Sequence, residues 1–144
     1  MWHSGPSVMI ARERDKMPFV STTLDLFTNA GHTIMDIATI WKNEKIMITS
    51  LQVRCPDALP AGTLTNFNIY INTTTPNYFI TAIQGDITRI LPEAMLGWAG
   101  GMVMDGAMGD RITAEINGSA VAPSYITTVD ITYELLGGPA ALIV

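Results

Sequence analysis

Residues 128–135 read TVDITYEL and alternate apolar and polar side chains more regularly than any other stretch of this chain. The odd-numbered positions are apolar and the even-numbered positions are polar. The odd set is Val129, Ile131, Tyr133 and Leu135, and the even set is Thr128, Asp130, Thr132 and Glu134. Because successive side chains of a strand point to opposite faces, this alternation predicts a β-strand with one buried face. The sequence Gly137-Gly138-Pro139 follows and predicts the end of the strand.

The same period of two recurs earlier in the chain. Residues 66–71 (NFNIYI) alternate, and residues 78–83 (YFITAI) are rich in aromatic and β-branched side chains. With Pro76 in the intervening turn, these two stretches predict a β-hairpin. Residues 46–53 and 110–118 add further strands, so we expect six or seven short strands separated by turns. This organisation predicts an all-β, mainly antiparallel fold, a jelly-roll or tumour-necrosis-factor-like β-sandwich.

Two segments depart from this pattern. In residues 86–104 the apolar side chains recur every three or four residues, with Pro92 near the start and Gly97 near the end. This spacing predicts either a short helix or a long crossing loop. Residues 1–24 are interrupted by glycine and proline and show no period. We therefore expect an extended N-terminal arm over residues 1–24 and a single β-sandwich domain over residues 25–144.

The composition is poor in charge. Charged residues make up 15% of the chain and hydrophobic residues 48%, whereas about 25% of an average soluble domain is charged. So few charges indicate a surface that another chain covers, because contiguous exposed apolar surface is typical of interfaces. The alternative is a neutral, threonine-rich surface on a monomer. We expect the first and predict a homo-oligomer.

The charge is also distributed unevenly. Residues 1–54 hold six basic and five acidic residues, a net charge of +1, and residues 55–144 hold two basic and eight acidic residues, a net charge of −6. Phosphate binding needs clusters of lysine and arginine, so direct binding of nucleic acid is not expected. No apolar run approaches the ~18 residues of a membrane span, and the first residues lack the pattern of a signal peptide.

Side chains able to perform catalysis are few. The chain has two histidines, His3 and His32, and one cysteine, Cys55, which is expected to be a small buried hydrophobe. No serine lies in a nucleophile-elbow pattern, and no cysteine or histidine pair has zinc spacing. Asp105 and Asp110 bring two carboxylates into a glycine-rich loop, but calcium needs about six to eight oxygen ligands, so a polar turn is favoured. We therefore expect no enzyme, no metal site and no cofactor.

Two groups of residues are candidates for contact with another chain. One is apolar and lies among glycines: Met95, Trp98, Met102 and Met104. Methionine adapts to irregular surfaces and tryptophan is enriched at binding hot spots, but such side chains can equally close the end of the core. The other group is basic and interleaved with two acids: Arg12, Arg14 and Lys16. Its alternative is a solvated segment of mixed charge.

The strands Phe67–Ile71 and Thr128–Leu135 and the glycine-punctuated stretch Gly97–Gly109 resemble capsid cement (decoration) proteins of tailed bacteriophages. Several of those proteins have jelly-roll or tumour-necrosis-factor-like sandwiches that sit as trimers on the capsid exterior. The resemblance implies a structural virion protein, made in the host cytoplasm, that forms a homotrimer and stabilises the contacts between major capsid protein subunits. The arm would then be a strap whose basic residues meet an acidic capsid surface.

A different virion part is the alternative, namely a phage tail, head-fibre or receptor-binding module that contacts glycans. This function would place aromatic and polar loop residues, such as Tyr70, Asn77 and Tyr78, at an exposed tip. Sugar binding separates the two hypotheses, because a cement protein is expected to show none.

Overall fold

The computed structural model describes residues 18–136 and 142–144, which form nine β-strands in two sheets. The strands are β1 Phe19–Asp25, β2 His32–Ile40, β3 Lys45–Arg54, β4 Asn66–Ile71, β5 Asn77–Ile80, β6 Met95–Asp105, β7 Arg111–Asn117, β8 Ile126–Leu135 and β9 Leu142–Ile143. Two single 3-10 turns, Ile87–Arg89 and Gly106–Met108, flank β6. Among the described residues, no helix is long and apolar enough to cross a membrane.

The two sheets form a jelly roll. One sheet has four strands in the order β1-β8-β3-β6, the other has five in the order β5-β4-β7-β2-β9, and every neighbouring pair is antiparallel. From β1 to β8 only the β4–β5 connection stays within its sheet, and the others cross to the opposite sheet. Eight strands connected in this way make a jelly roll, so the predicted fold class and the predicted β4–β5 hairpin are confirmed.

Alternate residues of both sheets fill the core between them. On β8, Val129, Ile131 and Tyr133 are buried and the polar residues between them remain partly exposed. The phase predicted from the alternating sequence is therefore correct. Leu135 continues the apolar parity but lies at the end of the strand, where 38% of it is exposed.

The structure corrects the prediction for residues 86–104, most of which form a strand. Only Ile87–Arg89 is helical, and it makes a single 3-10 turn. The backbone turns away at Glu93, whose φ is 59°, and alternate side chains of β6 then face the core. In the sequence, the apolar residues recur every three or four positions because a 3-10 turn, followed by the buried Ile90, comes shortly before a strand. In that strand the core-facing residues recur every two positions.

The predicted N-terminal arm is partly a strand. Phe19–Asp25 forms β1, which pairs along its whole length with β8, and Leu24 is buried in the core. The folded domain therefore includes Phe19–Asp25, which the prediction assigned to the arm. The rest of the arm, residues 1–17, lies outside the described residues.

Candidate functional site

The apolar contact residues predicted from the sequence all lie on β6, but only one of them is mostly exposed. Met95 is 59% exposed, Trp98 and Met102 are partly buried against the core, and Met104 is fully buried. Trp98 packs edge-on against Phe79, with 5.0 Å between the ring centroids. A contact through this strand would therefore use its outer face and its edge. The basic group lies outside the described residues: Arg12, Arg14 and Lys16.

One end of the sandwich, which we call the apolar end, carries six of the exposed large apolar side chains. It is formed by the β2–β3 loop, the β6–β7 loop, the end of β8 and the C-terminal β9. Its exposed apolar residues are Trp41, Met108, Leu135, Leu136, Ile143 and Val144. A group of large apolar side chains facing solvent in one region is typical of an interaction surface.

Backbone hydrogen bonds hold these segments side by side. The N–H of Gly106 donates to the carbonyl oxygen of Glu44 at 2.8 Å, which joins the two loops. The N–H of Leu136, the residue after β8, donates to the carbonyl oxygen of Lys45, the first residue of β3, at 3.2 Å. β9 pairs with the end of β2. Gly106 is required at this point, because a Cβ would overlap the carbonyl oxygen of Trp41. Backbone hydrogen bonds therefore fix the segments of the apolar end relative to one another.

Sequence reasoning missed the apolar end because its members come from separate segments of the chain. The available signal was a large apolar residue inside a polar or glycine-rich loop. Trp41 precedes Lys42-Asn43-Glu44, and Met108 lies between Ala107 and Gly109. Which of these residues meet in space depends on the crossing connections of the jelly roll, and a local pattern does not contain that information.

The two carboxylates of the glycine-rich loop serve the loop itself. Asp105 Oδ1 accepts a hydrogen bond from the N–H of Ala107, and Asp110 Oδ2 accepts one from the N–H of Asp105, each at 2.9 Å. This geometry is that of a polar turn, in agreement with the interpretation favoured from the sequence. In the described part of the chain, no three or more His, Cys, Asp or Glu side chains are grouped to hold a metal ion.

A polar network lies on the outer face of the five-stranded sheet. His32 Nε2 and Glu115 Oε2 are 2.7 Å apart, and Asn68 Nδ2 donates to Glu115 Oε1 at 3.1 Å. Both hydrogen bonds lower the pKa of Glu115, and the one with His32 has the larger effect. A carboxylate with a lowered pKa is a weak base near neutral pH, so this pair is better suited to stabilising the sheet than to acid–base catalysis.

Two tyrosines lie beside this network. Tyr70 on β4 and Tyr78 on β5 have ring centroids 5.3 Å apart, and Tyr78 is 44% exposed. Next to Tyr70 in the ladder, Thr113 on β7 donates to a carboxylate oxygen of Asp36 at 3.0 Å. The glycan-contacting hypothesis placed Tyr70 and Tyr78 in a loop tip, but they lie on the two strands of the hairpin.

Cys55 is buried, as expected from the sequence. Burial raises the pKa of its thiol, which disfavours the thiolate needed for nucleophilic attack. Burial, and secondarily the neighbouring Cys55, raises the pKa of Tyr125 to about 12. The hydroxyl of Tyr125 donates to the carbonyl oxygen of Ala58 at 2.9 Å. Both side chains are therefore part of the structural core.

No protein-family model and no curated protein matches the chain. Its fold is similar to that of a chain of the cyanophage Pam1 capsid asymmetric unit, with 13% identity, a TM-score of 0.46, and coverage of 83% of this chain and 86% of that one. A chain of the acid-stable capsid of Helicobacter pylori bacteriophage KHP30 is similar at 9% identity, with a TM-score of 0.44 and coverage of 87% and 99%. The P-domain of Macrobrachium rosenbergii nodavirus is similar at 10% identity, with a TM-score of 0.36 and coverage of 85% and 96%.

Proposed function

We propose that this chain is a structural virion protein, a capsid cement (decoration) protein that binds the outside of the shell as a homotrimer. In this role it stabilises the contacts between major capsid protein subunits and performs no catalysis. Because one fold serves many functions, the proposal rests on the surface of the molecule and not on its fold.

The apolar end is the observation that carries the proposal. Removing its side chains from water would stabilise a complex by roughly 25 cal/mol per Å² of apolar surface, before the costs of association are subtracted. The chain also enters β1 at this end, where Pro18 accepts a hydrogen bond from the N–H of Tyr133. Residues 1–17, with their basic group, are therefore joined to the body beside the apolar end.

Assembly into a trimer suits this role physically. A cement protein must add contacts across subunit boundaries, and three linked copies convert weak individual contacts into strong attachment. The sandwich supplies a rigid body, and the apolar end and the basic N-terminal segment supply two chemically different contacts.

Co-sedimentation with shells of the major capsid protein of the same virus tests the proposal. Trp41→Lys places a charge in the apolar end and should weaken binding by about tenfold or more. Leu59→Lys is the matched control, because the two side chains are 63% and 64% exposed and the β3–β4 loop lies at the opposite end of the sandwich. Equal binding by both variants would refute a role for the apolar end, and absence of binding by the wild type would refute the capsid role.

Removal of residues 1–17 tests the second contact. The truncated chain should bind shells more weakly than the full chain while melting at the same temperature, because β1 begins at Phe19. Unchanged attachment would show that the basic group Arg12, Arg14 and Lys16 does not contact the capsid.

A glycan-contacting module is the alternative function, and the Tyr70–Tyr78 pair beside the polar network is the observation that favours it. Aromatic rings next to hydrogen-bonding side chains can fix the orientation of a ligand. A glycan array distinguishes the two functions, because the cement proposal predicts no sugar binding. Binding that is lost in Tyr78→Ala would favour the alternative.

A further inference from the structure

β9 occupies a defined place on the body of the sandwich, which we call the β9 site. Ile40 at the end of β2 lies opposite Leu142, and the side chain of Leu142 is buried in the core. The N–H of Leu142 donates to the hydroxyl of Tyr133 at 3.1 Å, and this hydrogen bond is buried. An empty β9 site would leave the core open and take a hydrogen-bond partner from the Tyr133 hydroxyl.

The connection that leads to the β9 site crosses from one sheet to the other. β8 belongs to the four-stranded sheet, whereas β9 pairs with β2 of the five-stranded sheet. The residues between the two strands, GGPAA at 137–141, lie outside the described residues. Six Cα–Cα steps lead from Leu136 to Leu142, so the connection spans at most about 22 Å. β9 therefore reaches any β9 site that lies within this distance of Leu136.

Large apolar side chains are exposed on both sides of this connection. Leu135 and Leu136 precede it, Ile143 and Val144 follow it, and all four are exposed in a single copy. They are four of the six exposed apolar residues of the apolar end. Neighbouring exposed apolar side chains are typical of a surface that another chain covers. The connection therefore leaves and returns on the face where a neighbouring copy is expected.

We propose that copies of this chain exchange β9, so that β9 of one copy occupies the β9 site of the next. In a homotrimer the exchange runs from the first copy to the second, from the second to the third and from the third to the first. Every β9 site is then occupied. Each contact that β9 makes in a single chain is kept, because the exchanged segments are identical.

The β9 site itself identifies its occupant. In the structure it holds Leu142 and Ile143 of this chain, paired with β2 and closed by the Tyr133 hydroxyl. A second copy supplies the same two side chains with the same spacing. Because the connection is short, exchange also requires the apolar ends of neighbouring copies to face each other.

Two opposing effects decide between exchange and closure within one chain. Closure has the advantage of a high effective concentration, on the order of millimolar for a short flexible linker. Exchange removes from water the four apolar side chains that flank the connection, and closure leaves them exposed. Association by exchange therefore becomes more favourable as the concentration of the chain rises.

This inference rests on the proposed homotrimer but not on the capsid role. It assigns a contact between copies, and it is tested on the full chain in the absence of capsid protein. Failure of capsid binding would therefore leave it intact.

A disulfide across the β2–β9 ladder reports which copy occupies each β9 site. Thr39 and Ile143 lie directly opposite each other, close to the separation that a disulfide requires. Thr39→Cys and Ile143→Cys are combined in one chain that also carries Cys55→Ala, which removes the one native cysteine. The chain is oxidised at a concentration where it associates and is then separated on a non-reducing denaturing gel. Exchange predicts covalent trimers, and closure predicts single chains with an internal disulfide.

A second cysteine pair is the matched control. Thr23 on β1 lies opposite Thr128 on β8, and each pair combines an exposed with a partly exposed residue. Thr23→Cys with Thr128→Cys, again with Cys55→Ala, joins two strands of one copy. It should give single chains at every concentration.

Each result of the disulfide experiment has a distinct meaning. Single chains with an internal disulfide, in a sample that has the mass of a trimer, would overturn the exchange and leave the homotrimer intact. A sample with the mass of one chain at every concentration would refute the homotrimer as well. If the pair at residues 39 and 143 forms no disulfide while the control pair does, β9 does not lie beside Thr39, and the exchange loses its premise.

Sedimentation velocity with two aspartate variants provides an independent test. Leu142→Asp places a carboxylate in the β9 site and should shift the chain towards the single-copy species, because burial of an unpaired charge is unfavourable. Thr23→Asp places the same charge at an exposed position on β1 and should sediment as the wild type does. If Leu142→Asp lowers the melting temperature but keeps the mass of the wild type, β9 serves its own chain and the exchange is refuted.

Discussion

The side chain of Ile131 is fully buried between the two sheets. Ile131→Asp would bury an unpaired carboxylate and should destabilise the fold by on the order of 3 kcal/mol or more. Thr132→Asp is the matched control, because the next side chain along β8 points to the outer face, and it should melt close to the wild type. Thermal denaturation measures both. Wild-type melting of Ile131→Asp would mean that the strand phase is shifted by one residue.

Glu115 gives a pH-dependent prediction. Its hydrogen bonds with His32 and Asn68 lower its pKa from the ordinary value of 4.5. A carboxyl group with a lowered pKa in the folded state contributes stability above its unfolded pKa, and this contribution is lost as the pH falls through the folded pKa. We expect the melting temperature of the wild type to fall more steeply below about pH 4.5 than that of Glu115→Gln. Glu134→Gln, at an exposed position, should behave as the wild type, and parallel curves for all three would contradict the prediction.

At the scale of elements, the turn after β7 depends on the backbone conformation of a single glycine. Gly118 follows β7 with a φ of 84°, and a Cβ there would overlap the carbonyl oxygen of Thr63. Gly118→Ala should therefore lower the free energy of unfolding by at least ~1 kcal/mol. Gly31→Ala is the control, because a Cβ at that position meets no atom within 4 Å. Equal urea midpoints for the two variants would show that the loop relaxes without cost.

At the scale of elements, the sequence predicted strands where the period of two was uninterrupted. β8 and the β4–β5 hairpin are examples, because alternation alone determines which face each side chain occupies. β6 could not be predicted in the same way. Its glycines weaken the period of two, and the preceding turn adds Ile87 and Ile90 at helical spacing. β1 was assigned to an arm because its strand follows Pro18 directly and its partner β8 is about one hundred residues away.

At the scale of the whole molecule, the alternating strands and their turn spacing predicted the fold class. The absence of convergent catalytic groups remains an expectation. The position of the interaction surface was not predictable, because the apolar end exists only after strands from distant parts of the chain are brought together. The predicted contact residues on β6 show the same limit. The side chain of Met104 enters the core, whereas Met95, a member of the same predicted contact group, lies on the other face of β6 and remains exposed.

We propose that this chain functions by assembly with copies of itself and with a larger partner. The most direct test is the mass of the purified chain by light scattering at micromolar concentration. We predict a mass of about three times the 15.6 kDa of one chain. A mass of one chain over the whole concentration range would contradict the account.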